Sequence, residues 1–158
     1  MPQIADETIE ELVATAHALA DAARVATLQH FRRTDLSAET KESDRFDPVT
    51  VADRLSEERM RAILAECRPE DGILGEEFGA KTGRSGLTWV LDPIDGTRSY
   101  LSGTPTWGVL ISVADENGPI YGLIDQPYIR ERFEGGFGRA LVTGPSGPSS
   151  LRCRSARP

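Results

Sequence analysis

Basic residues are scarce in this 158-residue chain. Lysine occurs twice, at Lys41 and Lys81, and 18 Lys and Arg face 25 Asp and Glu, for a formal net charge of −7. A nucleic-acid surface would need clustered Lys and Arg, so that class of partner is excluded. Cysteine is equally rare. Cys67 and Cys153 are far apart in sequence and read as free thiols, not as a staple or a metal knuckle. The two histidines, His17 and His30, fall in one Ala-rich stretch remote from either Cys, which argues against a Cys/His zinc site. Long apolar runs are also missing. None approaches the roughly 20 residues that a membrane helix requires, so no membrane partner is expected. Met1–Glu7 has neither a basic start nor an apolar run, so no secretory signal is read and a cytoplasmic chain is expected.

What is present suits one globular domain: 39% hydrophobic residues together with 15 glycines. Ile9, Leu12, Val13, Ala16, Leu19, Ala20, Ala23, Ala26 and Phe31 recur at three- and four-residue steps, predicting a helix from Asp6 to about Phe31. Polar residues 32–48 lack a period and read as a loop. Thr50 and Asp53 have capping-box spacing ahead of Leu55, Met60, Ile63 and Leu64, so a second helix should run from Val51 to Cys67, before Pro69. Gly79–Gly86 reads as a mobile excursion. Thr88–Leu91 and Trp107–Ala114 read as strands, the latter joined through Asp115–Gly118 to a returning strand at Ile120–Ile124. Glu131–Glu134 has the pattern of one more short strand. From Thr143 the composition turns to Gly, Pro and Ser, and an irregular tail is expected. Two helices followed by several strands imply a mixed α/β layer.

Three acidic groups each sit beside a short apolar run or a helix start: Asp47-Pro48-Val49-Thr50, Gly75-Glu76-Glu77 and Asp92-Pro93-Ile94-Asp95-Gly96-Thr97. Carboxylates at strand ends, bent by Gly and Pro, can aim several oxygens at one point, which is what a hard cation such as Mg²⁺ binds. Asp92 and Asp95 can face one centre with the Ile94 carbonyl between them, and Gly96 lets the backbone approach closely. If a helix starts there, the Gly96 and Thr97 amides form an anion site. Taken alone, a D-x-x-D pair is more often a cap or solvated surface.

Read together, Asp47-Pro-Val-Thr50-x-x-Asp53, Gly75-Glu76-Glu77 and Trp89-Val-Leu-Asp92-Pro-Ile-Asp95-Gly96-Thr97 resemble the inositol monophosphatase-like family of Mg²⁺-dependent phosphatases. The stretch Arg98 to Ile111, with Gly103-Thr-Pro-Thr-Trp107-Gly108, is most similar to the histidinol-phosphatase branch; the inositol monophosphatases and other sugar- or nucleotide-phosphate phosphatases are the alternative. The resemblance implies an α/β layered sandwich in which paired N-terminal helices pack on a mostly antiparallel sheet. It implies Mg²⁺ as cofactor, a small phosphorylated metabolite as substrate and a homodimer. Glu76, Asp92 and the Ile94 carbonyl would hold a first ion, and Asp92 and Asp95 a second. Thr97 paired with Asp47 would orient and deprotonate the attacking water with help from Glu76, and the Gly96 and Thr97 amides would hold the phosphate. Asp53 is expected to cap its own helix, Glu77 to lie outside the ligand set, and Trp107 to be a core aromatic.

The family pattern continues into a second half with a Trp-Asp motif. No Trp-Asp dipeptide occurs in this chain, since Trp89 precedes Val90 and Trp107 precedes Gly108. The expectation is therefore an N-terminal half over residues 1–142 with an atypical tail over 143–158. Such a chain is expected to bind Mg²⁺ weakly and to hydrolyse histidinol phosphate poorly. An inactive fragment or an interaction module is the reading from another class.

Overall fold

The computed structural model describes residues 6–40 and 48–155. Helix α1 (Asp6–His30) comes first, then a short antiparallel pair, β1 (Ala38–Thr40) with β2 (Pro48–Thr50), of which β1 and the first residue of β2 fall in the span 32–48 read as a loop. Helix α2 (Val51–Cys67) follows directly. A single sheet contains β3 (Gly72–Gly75), β4 (Gly79–Lys81), β5 (Thr88–Asp95), β6 (Gly108–Asp115), β7 (Gly118–Gln126), β8 (Glu131–Gly136), β9 (Arg139–Gly144) and β10 (Gly147–Ser150). Its order is β10-β9-β8-β7-β6-β5-β3-β4, and only β3 and β5 run parallel. The short helix α3 (Thr97–Ser102) joins β5 to β6.

Both long helices lie on one face of the sheet. From α1, Leu12, Ala16, Leu19, Ala20 and Ala23 meet Met60 and Leu64 of α2, over Trp89, Leu91, Val109, Ile111, Val113, Tyr121 and Leu123 of the sheet. The alanines keep α1 close to its neighbours while favouring the helix. The predicted capping box is present. The Thr50 hydroxyl accepts from Ala52 N–H at 3.1 Å, and the Asp53 carboxylate accepts from the Thr50 backbone N–H at 2.8 Å. Beyond α1, Phe31, Tyr100 and Trp107 form a second cluster with Ala52 and Ile94, so Trp107 is a core aromatic as expected.

The β6–β7 hairpin forms as read, with Asp115 opposite Gly118 and the Asp115 carboxylate accepting from Asn117 N–H at 2.7 Å. The tail differs from the expectation of an irregular segment. Gly144 pairs with Gly147 around Pro145-Ser146, and β9 and β10 add a hairpin to the sheet edge. All four β10 residues are exposed, so backbone pairing alone holds the strand and no apolar alternation marks it in the sequence. Residues 79–86 are also tied down: Lys81 donates to the carbonyls of Pro69 and Asp71, and Arg84 forms a two-bond pair with Glu70.

On the far face, Val90, Leu110, Ile124 and Phe133 line an apolar trough of about 640 Å³. Among the described residues no helix covers it. Asp92 lies on that face, at the edge of the trough.

Candidate metal and phosphate site

Parallel pairing builds the site. Gly75 of β3 lies beside Leu91 of β5, and the Glu76 N–H continues the ladder by donating to the Leu91 carbonyl at 3.1 Å. One step beyond that register stand Glu76 and Asp92, sixteen positions apart in sequence. The segment Asp92–Asp95 is not the Pro-bent turn that the sequence suggested. Strand β5 continues through it with an irregularity between Asp92 and Asp95, where Pro93, which lacks an N–H, does no harm to the ladder. Gly96 then takes a left-handed conformation (φ 86°) and starts α3 at Thr97.

Glu76, Asp92, Ile94, Asp95, Gly96, Thr97 and Arg98 surround one pocket of about 270 Å³. Burial, the hydrogen bond that the protonated Asp92 carboxyl donates to Glu76, and the negative charges of Glu76 and Asp95 push the Asp92 pKa up to about 8. The Asp92 Oδ1 atom is buried and has no hydrogen-bond partner among the described residues. The Thr97 hydroxyl donates to the Ile94 carbonyl at 3.1 Å. Asp47, expected to pair with Thr97, lies outside the described residues. Besides the pocket carboxylates, Asp53, 2% exposed, lies near α3, and its charge adds to burial in raising the Tyr100 phenol.

A buried orphan oxygen, two further carboxylates and a backbone carbonyl make an all-oxygen donor set of the kind a hard divalent cation takes, so these residues fit Mg²⁺. The set is open: among the described residues no three His, Cys, Asp or Glu side chains are placed so that they could hold a metal ion by themselves, so an ion here would need the backbone, water or phosphate as further ligands.

Glu57 escaped the sequence reading. It is fully buried on α2, and its carboxylate accepts the Glu77 N–H at 2.7 Å and the Phe78 N–H at 3.2 Å, directly behind Glu76. The available signal was its place on the buried stripe of α2 with Asp53, Met60 and Leu64, where an acid needs a partner.

A sequence model of the inositol monophosphatase family matches residues 8–150. The chain belongs to the inositol monophosphatase family. It is 42% identical over 141 residues to a histidinol-phosphatase of Streptomyces coelicolor, covering 87% of this chain and 52% of that protein. It is 39% identical over 153 residues to the chloroplastic bifunctional phosphatase IMPL2 of Arabidopsis thaliana, covering 96% of this chain and 43% of that protein. The solved inositol monophosphatase of Zymomonas mobilis superposes with a TM-score of 0.73 at 33% identity, over 98% of this chain and 56% of that one. The chain spans about half the length of the curated relatives it matches.

Proposed function

We propose that this chain carries the ion-binding and phosphate-binding half of a Mg²⁺-dependent phosphomonoesterase whose substrate is a small phosphorylated metabolite, histidinol phosphate first among the candidates. One observation carries the reading: Glu76, Asp92, Ile94 and Asp95 line a single pocket with Gly96 and Thr97. The Streptomyces coelicolor relative, by its name a histidinol-phosphatase, favours that substrate. The likeness to the Zymomonas mobilis enzyme supports an inositol phosphate as the second reading.

Glu76, Asp92 and the Ile94 carbonyl would hold one ion, and Asp92 with Asp95 a second. Bound there, Mg²⁺ would supply charge to offset the phosphoryl oxygens and would lower the pKa of water to make a nucleophile at neutral pH. The chain's own groups do the rest. Backbone N–H groups of Gly96 and Thr97 bind the phosphate, and the Thr97 hydroxyl orients the attacking water. The resemblance assigns the partner of Thr97 as Asp47. Asp53, whose charge reaches Tyr100 of α3, is a second acid near that helix, its carboxylate accepting from Thr50. Raised to about 8, the Asp92 carboxyl holds its proton at neutral pH and must release it to serve as a ligand.

The test is phosphate release from histidinol phosphate and from inositol 1-phosphate, with Mg²⁺ or with EDTA, alongside Mg²⁺ titration calorimetry. With its donor set open, the 158-residue chain is expected to bind Mg²⁺ weakly and to turn over slowly, with histidinol phosphate preferred. Asp95→Asn should weaken the ion and remove what turnover there is, whereas a chain acting only as an interaction module would be indifferent to it. Turnover that persists in EDTA refutes the reading.

A further inference from the structure

Glu76 is exposed and stands at the end of a short strand, in a turn that leads to an edge strand. Such a position would ordinarily leave a ligand free to drift. Here three successive backbone N–H groups are each taken up. Glu76 N–H goes to the Leu91 carbonyl, and Glu77 and Phe78 N–H both go to the Glu57 carboxylate. That carboxylate is in turn fixed by Arg61, one turn later on α2, at 2.8 Å. Arg61 reaches past it to the Gly79 carbonyl and so spans the whole turn from Glu77 to Gly79.

An independent feature points the same way. A Cβ on Gly75 would collide with the Glu57 carboxyl group and the Arg61 guanidinium. Glycine at 75 is therefore what lets a buried carboxylate lie against the backbone just before Glu76. A buried acid accepting two amides and one guanidinium has its lone pairs well used, which is how a charge with no solvent contact is tolerated.

We infer that Glu57 is a positioning residue: through the Glu77 and Phe78 amides it sets the turn that aims Glu76 at Asp92, ready for a divalent cation. The inference rests on the proposed ion site and adds to it a residue of α2, from the opposite face of the sheet. Glu57 touches no reacting atom. It acts through Glu76, so its loss should weaken ion binding more than it disturbs the fold.

Glu57→Gln tests this with little change in shape, because the new amide nitrogen meets a backbone N–H or the Arg61 guanidinium donor to donor. Two measurements on the 158-residue chain are needed. Amide hydrogen exchange should speed up at least tenfold at Glu77 and Phe78, while β6 and β7 amides keep wild-type protection. The Mn²⁺ dissociation constant, read by electron paramagnetic resonance, should rise about tenfold. Glu57→Asp, one methylene shorter, should fail to restore either. If Glu57→Gln lowers global stability enough to speed exchange everywhere, Gly75→Ala perturbs the same contact from the turn side and should give the same local pattern. Unchanged exchange at Glu77 and Phe78, or an unchanged Mn²⁺ affinity beside a wild type that binds, overturns the role of Glu57. A wild type that binds no Mn²⁺ refutes the ion site itself, and with it the purpose given to Glu57, even where the local exchange pattern appears.

Discussion

Replacing Asp92 with Asn should stabilise the ion-free protein, and by an amount that grows with pH. The folded-state pKa of Asp92 is pushed up to about 8 by burial, Glu76 and Asp95, against an unfolded value near 3.9. Between those two values the folded chain holds a proton that the unfolded chain has released. Stability from this group is therefore greatest in acid and is lost as pH rises through 8. Each pH unit inside the window removes up to about 1.4 kcal/mol. Asparagine keeps the shape of the protonated acid, and its amide can donate to Glu76 at every pH. Asp92 is only partly buried, so the full amount is a ceiling, and the stability gap between variant and wild type should widen by about 2–3 kcal/mol from pH 5.5 to pH 8.5. Urea unfolding in EDTA at several pH values measures it. Adding Mg²⁺ should then stabilise the wild type alone and narrow the gap at high pH, because only a ligand-bearing folded state gains from mass action. A gap that stays constant across pH refutes the reasoning.

Further outcomes follow from single contacts. Thr50→Ala removes the hydroxyl that caps α2 and should cost about 1 kcal/mol by urea unfolding. Asp125 is fully buried and accepts from both Arg24 and Arg132, so Asp125→Ala should cost about 3 kcal/mol in the same assay, several times the effect of breaking the exposed Arg33–Asp35 pair. Tyr100→Phe deletes a buried hydrogen bond to the Thr27 carbonyl and should cost about 1–2 kcal/mol, with no change in Mg²⁺ affinity by calorimetry. Asp95→Asn should do the reverse, leaving the melting temperature within about 2 °C while weakening Mg²⁺, because its side chain is exposed.

Local signals in the sequence were reliable wherever one residue type has one physical job. Thr50 and Asp53 marked the start of α2, and the Asp115–Gly118 turn marked the β6–β7 hairpin, because caps and tight turns are set by neighbours in sequence. Strand β10 was not legible, since a strand held at an exposed edge by backbone pairing needs no apolar pattern, and β9 beside it is at most half-buried. Nor was the passage of β5 through Pro93, which reads as a turn until a partner strand shows the ladder resuming at Asp95. The nearness of Glu76 to Asp92 is a matter of register between parallel strands, and no local pattern encodes that register. It was legible only because three motifs together resemble one family. Glu57 shows the complementary failure. Its glutamate looks like any helix acid until the turn that it supports is folded beneath β5.

Manganese-soaked crystals of the 158-residue chain, with data collected at a wavelength where Mn²⁺ scatters anomalously, test the central claim most directly. An anomalous peak is expected in the pocket bounded by Glu76, Asp92, Asp95 and Thr97, within bonding distance of the Asp92 carboxylate and the Ile94 carbonyl. A peak elsewhere on the molecule with that pocket empty would contradict the claim.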